Sequence, residues 1–136
     1  MADVVLGLQI VVELLKVAGA VPTRCTGGIM GTHLEGFRNE APAALVLAAG
    51  GESWDTIPLQ RLTVKLVCYG GANDDGPGAS ATYKVVAGRL RDVNNEATAS
   101  GRVLDCVETA VESIGIDEPT GFVASVSEWS ILVATG

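Results

Sequence analysis

Hydrophobic and polar residues alternate over one long segment, and this alternation is the clearest structural signal in the chain. Between Leu59 and Tyr69, the apolar side chains at positions 62, 64, 66 and 68 fall on one side of an extended backbone. Arg61, Thr63 and Lys65 fall on the other side. A period of two over this length is typical of a strand with one face in the core and one in water. We therefore predict a strand over 59–69 with an exposed polar face.

An apolar segment near the start of the chain has the period of an amphipathic helix. Charged residues interrupt segment 4–18, and it is too short for a membrane span, which needs about 20 apolar residues. We predict a core helix over 3–18 that begins at Asp3 and ends at Gly19. Its inward stripe is predicted to be Leu6, Ile10, Leu14 and Val17.

A second helix is predicted after the glycine-rich loop 70–78. From Ala79 onward, apolar residues recur at helical spacing, and the Asn94-Asn95 pair is the predicted end of the helix. The predicted inward stripe is Ala79, Tyr83, Val86, Leu90 and Val93.

Two further segments have the character of strands. The continuous apolar run 43–49, closed by Gly50-Gly51, is typical of a strand buried on both faces, and we expect it to pair with the 59–69 strand. Segment 122–133 alternates and places Val123, Ser125, Ser127, Trp129, Ile131 and Val133 on one face. Its extended length of about 40 Å exceeds a body about 37 Å across. We therefore expect it to bend, bulge or project toward another subunit.

Segment 102–114 has two conflicting signals. Its apolar residues fall at 103, 104, 107, 110, 111 and 114, which is a helical period with Gly115 at the end. The β-branched residues Val103, Val107, Thr109, Val111 and Ile114 favour a strand instead. The residues alone leave both structures open.

Length and charge limit the class of protein. The 136 residues are expected to form a single domain, with a helix over 3–18 and a sheet-and-helix body over 40–133. A net charge of −7 and scattered basic residues argue against a dedicated nucleic-acid binder, which needs clustered Lys and Arg. Charged residues make up only 18% of the chain, against about 25% in ordinary domains. A low-charge surface suits an interface, although a small Ala-, Gly- and Val-rich core explains the value equally well.

No constellation of residues points to catalysis or to a metal. His33 is the only histidine, and it lacks a nucleophile signature. The loop 73–76 fails as a calcium loop because Gly71 and Thr82 would occupy essential ligand positions. The glycines of 27–31 are not followed by a convincing helix, as a phosphate-binding loop requires. We therefore predict no enzymatic activity, no cofactor and no metal site.

The remaining polar candidates have simpler explanations. Asp105, Glu108 and Glu112 are interpreted as a solvated face. The three cysteines, Cys25, Cys68 and Cys106, lack metal spacing and are predicted to be buried, reduced thiols. Trp129 is expected in the core. Trp54, beside Asp55 in a linker, is a candidate for an interface, and core packing explains it equally well.

The order of these elements resembles the tail terminator (tail completion) proteins of long-tailed bacteriophages. The resemblance covers about residues 40–133. It rests on the apolar run before Gly50-Gly51, the alternating strand from Arg61 to Gly70, and the helix from Ala79. It also rests on Gly101-Arg102-Val103-Leu104-Asp105-Cys106-Val107, followed by Asp117-Glu118-Pro119-Thr120-Gly121 and a closing strand.

The resemblance implies an α+β fold: a single mostly antiparallel sheet of about four to five strands, packed by two helices. It makes segment 102–114 a strand. It implies a virion protein, made in the host cytoplasm, that forms a ring (a hexamer) on the tail tube, ends tube polymerisation and joins the head-completion proteins. DNA would pass through the ring, and no membrane would be involved. The candidate contacts with neighbouring subunits or the tube are Trp54, Asp55, Arg61, Thr63, Lys65, Asn73, Asp74 and Asp75.

Two other functions remain open from the sequence. One is another phage neck or connector component. The other is a small soluble binding module unrelated to phages.

Overall fold

The computed structural model describes residues 4–31, 40–53, 59–72, 76–117 and 121–134. These residues form three helices and six strands. In chain order they are α1 (Val4–Lys16), α2 (Ala20–Arg24), β1 (Ile29–Met30), β2 (Pro42–Ser53), β3 (Leu59–Gly70), α3 (Pro77–Arg91), β4 (Glu96–Ala97), β5 (Arg102–Asp117) and β6 (Phe122–Ala134).

The six strands form one sheet in the order β1-β2-β3-β6-β5-β4. The β1–β2 pair is parallel, and the other four pairs are antiparallel. The predicted α+β class is correct, but in the described residues the sheet is mixed and six-stranded, and there are three helices. The additions are α2, β1 and β4, with five, two and two residues. Elements this short contain less than two periods of any hydrophobic pattern, so the sequence did not reveal them.

The predicted strand 59–69 is confirmed as β3, and its two faces are as expected. Leu62, Val64, Leu66 and Cys68 are buried against the helices, while Arg61 and Thr63 are exposed and Lys65 is half-buried. The other face of the sheet, which we call the helix-free face, has a smaller apolar cluster formed by Ala43, Leu45, Val67, Tyr69 and Ala124. With apolar clusters on both faces, the middle of the sheet is the centre of the fold.

The first helix packs through a different stripe from the one predicted. Ile10 and Leu14 are buried as expected, but the helix ends at Lys16 and Val17 is 51% exposed. The buried positions are instead Ile10, Val11, Leu14 and Leu15. This stripe is wider because α1 contacts β2, β1, β3 and β5 together. Gly19 precedes α2 and does not end α1. Asp3 and the side chain of Leu6 lie outside the described residues.

The second predicted helix is confirmed as α3. Its stripe of Ala79, Tyr83, Val86 and Leu90 is buried, and Val93 is buried just beyond the helix. The helix begins with Pro77 at its first turn, where proline lacks only an amide that would be unpaired in any case. It ends at Arg91, three residues before the predicted asparagine pair.

Segment 102–114 is a strand, as the family resemblance implies. β5 has 16 residues and β6 has 13 over the same paired length. The three extra residues enter as bulges between Val103 and Asp105, between Glu108 and Ala110, and between Ala110 and Ser113. Each bulge shifts the alternation by one position. This shift is the physical reason why a strand shows a helix-like spacing of apolar residues.

One strand prediction needs correction, and for another strand the structure excludes one of the predicted alternatives. β2 does not end at Gly50-Gly51; it continues to Ser53, with a bulge between Ala48 and Gly50. β6 does not project, because β3 and β5 flank it along nearly its whole length. Its predicted inward face is otherwise correct: Ser125, Ser127, Trp129, Ile131 and Val133 are buried. β2 and β3 pair as expected.

Candidate interaction surface

The outer edge of β5 is the most unusual surface in the described residues. β4 pairs with β5 only at Arg102 and Val103, so from Asp105 onward this edge has no strand neighbour in the part of the chain that the structure describes. Five large hydrophobic side chains are exposed in the described residues as a whole, and four of them lie on β5. They are Val107, Val111, Ile114 and Ile116, with exposed fractions of 49%, 75%, 44% and 64%.

The bulges of β5 distribute these side chains over both faces of the sheet. Val107 lies opposite Ser130 on the helix-free face, whereas Ile114 and Ile116 lie opposite Ser125 and Val123 on the helix face. Val111, the most exposed of them, lies within the third bulge. An approaching chain would therefore meet apolar surface on both sides of the β5 edge.

Two of the acidic side chains on β5 are turned away from this edge. Glu112 accepts hydrogen bonds from the hydroxyl groups of Ser80 (2.8 Å) and Ser125 (2.5 Å). Glu108 accepts hydrogen bonds from Tyr83 and from Arg91 (2.7 Å). Both carboxylates are half-buried toward α3, so the predicted solvated acidic face is correct only for Asp105.

Tyr83, Arg91 and Glu108 form a polar cluster that joins α3 to β5. The Arg91 guanidinium carbon lies 5.9 Å from the centre of the Tyr83 ring and 5.7 Å from that of Trp129. Burial is the main cause that raises the pKa of Tyr83, and its hydrogen bond to Glu108 adds to the effect. The hydrogen bond to Glu108 also raises the pKa of Arg91. Because both helix and strand contribute, this cluster holds the middle of β5 in place.

The predicted contact residues of β3 are brought together on the helix-free face. Arg61 donates a hydrogen bond to the Ser130 hydroxyl through Nη1 (3.1 Å), and Lys65 lies directly opposite Glu128. Thr63 lies between them. The other predicted contacts, Trp54, Asp55, Asn73, Asp74 and Asp75, lie outside the described residues.

Charge is divided unevenly across the sheet. Every charged residue after Arg102 is acidic: Asp105, Glu108, Glu112, Asp117, Glu118 and Glu128. The only charged residues of β3 are Arg61 and Lys65, which are basic. The β5–β6 side of the sheet is therefore negative, and β3 contributes positive charge to the helix-free face.

The structure offers little support for small-ligand chemistry in the segments it describes. The amides of Gly27 and Gly28 donate to the carbonyls of Pro42 (2.8 Å) and Cys25 (3.1 Å), so they are not available to a phosphate. Groups of three metal-binding side chains are absent from the described residues. None of the helices in that part of the chain has the length and apolar character that a membrane crossing requires. His33 lies outside the described residues.

The cysteines are buried and free, as predicted. Burial raises the pKa of the Cys25 thiol to about 11 and that of the Cys106 thiol to about 12. Burial also raises the pKa of Cys68 well above its usual value. Thiols that hold their protons this firmly are poor nucleophiles at neutral pH.

The sequence did contain a signal for the β5 edge. In a strand, apolar residues at helical spacing cannot all face one core, so on a strand covered on one side only some of them are exposed. The strand interpretation of 102–114 therefore already implied exposed β-branched residues, which the predicted contacts did not include.

Comparison with known proteins gives a likeness among solved structures. No protein-family model matches the chain, and no curated protein matches it. Among solved structures, the fold is similar to that of a chain in the virion of a native gene transfer agent particle. The TM-score is 0.53 at 12% sequence identity, and the match covers 98% of this chain and 99% of that chain. At this identity the likeness concerns the fold.

Proposed function

We propose that this protein is a structural component of a phage virion, and specifically a tail terminator. It assembles as an oligomeric ring, a hexamer, on the end of the tail tube. The ring ends tube polymerisation and forms the joint to the head-completion proteins. DNA passes through its lumen, and the protein is made in the host cytoplasm before it joins the virion.

The observation that carries this proposal is the fold likeness to a gene transfer agent virion chain, which extends over nearly the whole of both chains. An exposed apolar strand edge supports it, because monomeric proteins usually protect such edges. Among the roles open to a virion component, we propose tail termination because the order of the elements resembles that of tail terminators.

The mechanism in this proposal is geometric and needs no catalytic group. Subunits associate side by side, and the ring then docks on the last ring of the tube. Once docked, it occupies the surface to which the next tube subunit would add. The net charge of −7 suits a lumen that does not hold DNA, because phosphates are repelled by acidic surfaces.

The test combines the pure protein with polymerising tail-tube subunits encoded near its gene. We expect tubes to stop growing when the protein is added, with an extra ring visible at one end by negative-stain electron microscopy. Light scattering reports whether the free protein already has a mass that is a multiple of 13.9 kDa.

Two controls make this test decisive. Heat-unfolded protein should leave tube length unchanged, and His33→Ala should cap tubes as well as the native chain, because no catalysis is involved. A chain that stays monomeric at every concentration and adds no ring to tail tubes would contradict the proposal. Loss of capping in His33→Ala, with the fold intact, would mean that His33 contributes to a contact that capping requires.

A further inference from the structure

We propose that the first turn of α1, from Val4 to Gly7, is a strap that opens from β3 while the rest of the fold stays closed. The opening brings a buried amide group of β3 into contact with water. This inference concerns the free, folded chain and does not depend on the proposed ring.

The buried amide group belongs to Gln60, near the start of β3. Gln60 is only 2% exposed, and its Oε1 has no hydrogen-bond partner among the described residues. A polar group that leaves water without gaining a partner opposes its own burial. The closed arrangement at this end of β3 is therefore less favourable than an ordinary apolar contact.

The backbone of α1 shields this amide group from water. A Cβ built on Gly7 would lie only 2.3 Å from Oε1 of Gln60 and 2.9 Å from Cδ1 of Leu62, so the helix rests directly on both side chains. Turning the amide group over would place its NH2 group against the same carbon atoms. Lifting the first turn of the helix therefore gives the amide group water as a partner.

The helix is also weakest at this point. Glycine is less favourable than alanine inside a helix, because its backbone loses more conformational freedom on folding. Gly7 lies about one turn from the start of α1, and the amides of a first turn have no partner within the helix. Opening at Gly7 therefore breaks few hydrogen bonds of the helix.

The second half of α1 is held much more firmly. Glu13 accepts hydrogen bonds from the backbone amide (2.9 Å) and the hydroxyl group (2.6 Å) of Ser100. Four aliphatic side chains of this half are buried in the core: Ile10, Val11, Leu14 and Leu15. This difference between the two halves allows the first turn to open by itself.

The first experiment is native-state hydrogen exchange on the whole chain. In a helix, the amides of Leu8 and Gln9 donate to carbonyls of the first turn. We expect them to exchange at least about tenfold faster than the amides of Leu14 and Leu15. Low concentrations of urea should not change the faster rate, because a local opening exposes little surface. Equal exchange of the two pairs of amides would overturn the proposal.

The second experiment distinguishes the strap from the ordinary fraying of a helix end. Gln60→Met keeps the length of the side chain but removes the amide group, so the closed strap no longer buries an unpaired polar group. Exchange at Leu8 should slow at least about fivefold. Unchanged or faster exchange at Leu8 would show that Gln60 does not drive the opening, and the proposal would fail.

The matched control is Gln9→Met. Gln9 is the other glutamine of the chain and is exposed on α1, so its substitution should not slow exchange at Leu8. Slowing of the same size in both variants would contradict the role of the buried amide group. Circular dichroism should show both variants folded, and if Gln60→Met does not fold, the comparison within the native chain decides.

Discussion

The hydroxyl group of Tyr69 donates a 2.6 Å hydrogen bond to Oδ2 of Asp117, and both residues are buried. Tyr69 lies near the end of β3, while Asp117 is the last residue of β5, two strands away. The bond joins the end of β5 to the central strand across β6. It therefore fixes the part of β5 that carries Ile114 and Ile116.

We expect Tyr69→Phe to lower the free energy of unfolding by about 1–3 kcal/mol. The substitution keeps the ring in the core but removes the donor, which leaves a buried carboxyl oxygen without this bond. Chemical denaturation of the native and variant proteins measures the difference. A change close to zero would show that the bond adds nothing to stability.

Glycine is required at Gly101 but not at Gly88. A Cβ at Gly101 would lie 2.3 Å from the backbone oxygen of Ala134 and 2.7 Å from Ile10, whereas a Cβ at Gly88 would meet no atom within 4 Å. We expect Gly101→Ala to destabilise the fold by about 1–3 kcal/mol, because a backbone oxygen cannot move away cheaply. Gly88→Ala, within α3, should stabilise it by about 0.5–1 kcal/mol. Thermal unfolding of both variants tests the pair, and a stable Gly101→Ala protein would contradict this packing.

The three thiols should be unreactive in the folded protein. Because the pKa of Cys25 is raised to about 11, its thiolate fraction near pH 8 is lower than that of an ordinary cysteine by about a hundredfold. Burial also raises the pKa of Cys106, to about 12, and that of Cys68. A colorimetric thiol reagent should therefore detect almost no reaction in the native state and three thiols after unfolding. Fast labelling of one cysteine in the native state would show that its surroundings open.

Stability should fall at high pH partly because of Tyr83. Its pKa is raised in the folded state by burial and by Glu108, so folding favours the protonated phenol. This contribution is complete below the unfolded pKa of about 10 and is lost as the pH rises through the higher folded value. The native protein should therefore lose more stability above pH 10 than Tyr83→Phe. Denaturation curves between pH 8 and 12 measure the free energy of unfolding of both proteins. The cysteines titrate in both, so their contribution cancels in the difference.

Much of the fold follows from local patterns. The alternation in β3 identified the buried residues correctly, because side chains in a strand point to opposite faces whatever the partners are. The spacing in α3 identified its buried stripe for a similar reason. In α1 the same reasoning gave Ile10 and Leu14 correctly but misplaced Val17, since where a helix ends depends on what it packs against.

The candidate surface was only partly foreseeable. The polar face of β3 was predicted, and Arg61, Thr63 and Lys65 do lie together on the helix-free face. The apolar edge of β5 was not, because exposure at Val107 and Val111 depends on bulges and on which strands lie alongside. Neither property has a local signature, since pairing joins residues that are far apart in sequence.

The sequence by itself determined the order of the main elements, the sides of β3 and α3 that face the core, the scarcity of charge and the absence of basic residues after Arg102. These depend on residue type and spacing alone. Only the tertiary structure decided that β6 lies in the middle of the sheet and that β5 has an open edge. The reason is physical: strand neighbours are chosen by long-range packing of whole faces, and an edge exists only once every other strand has found its place.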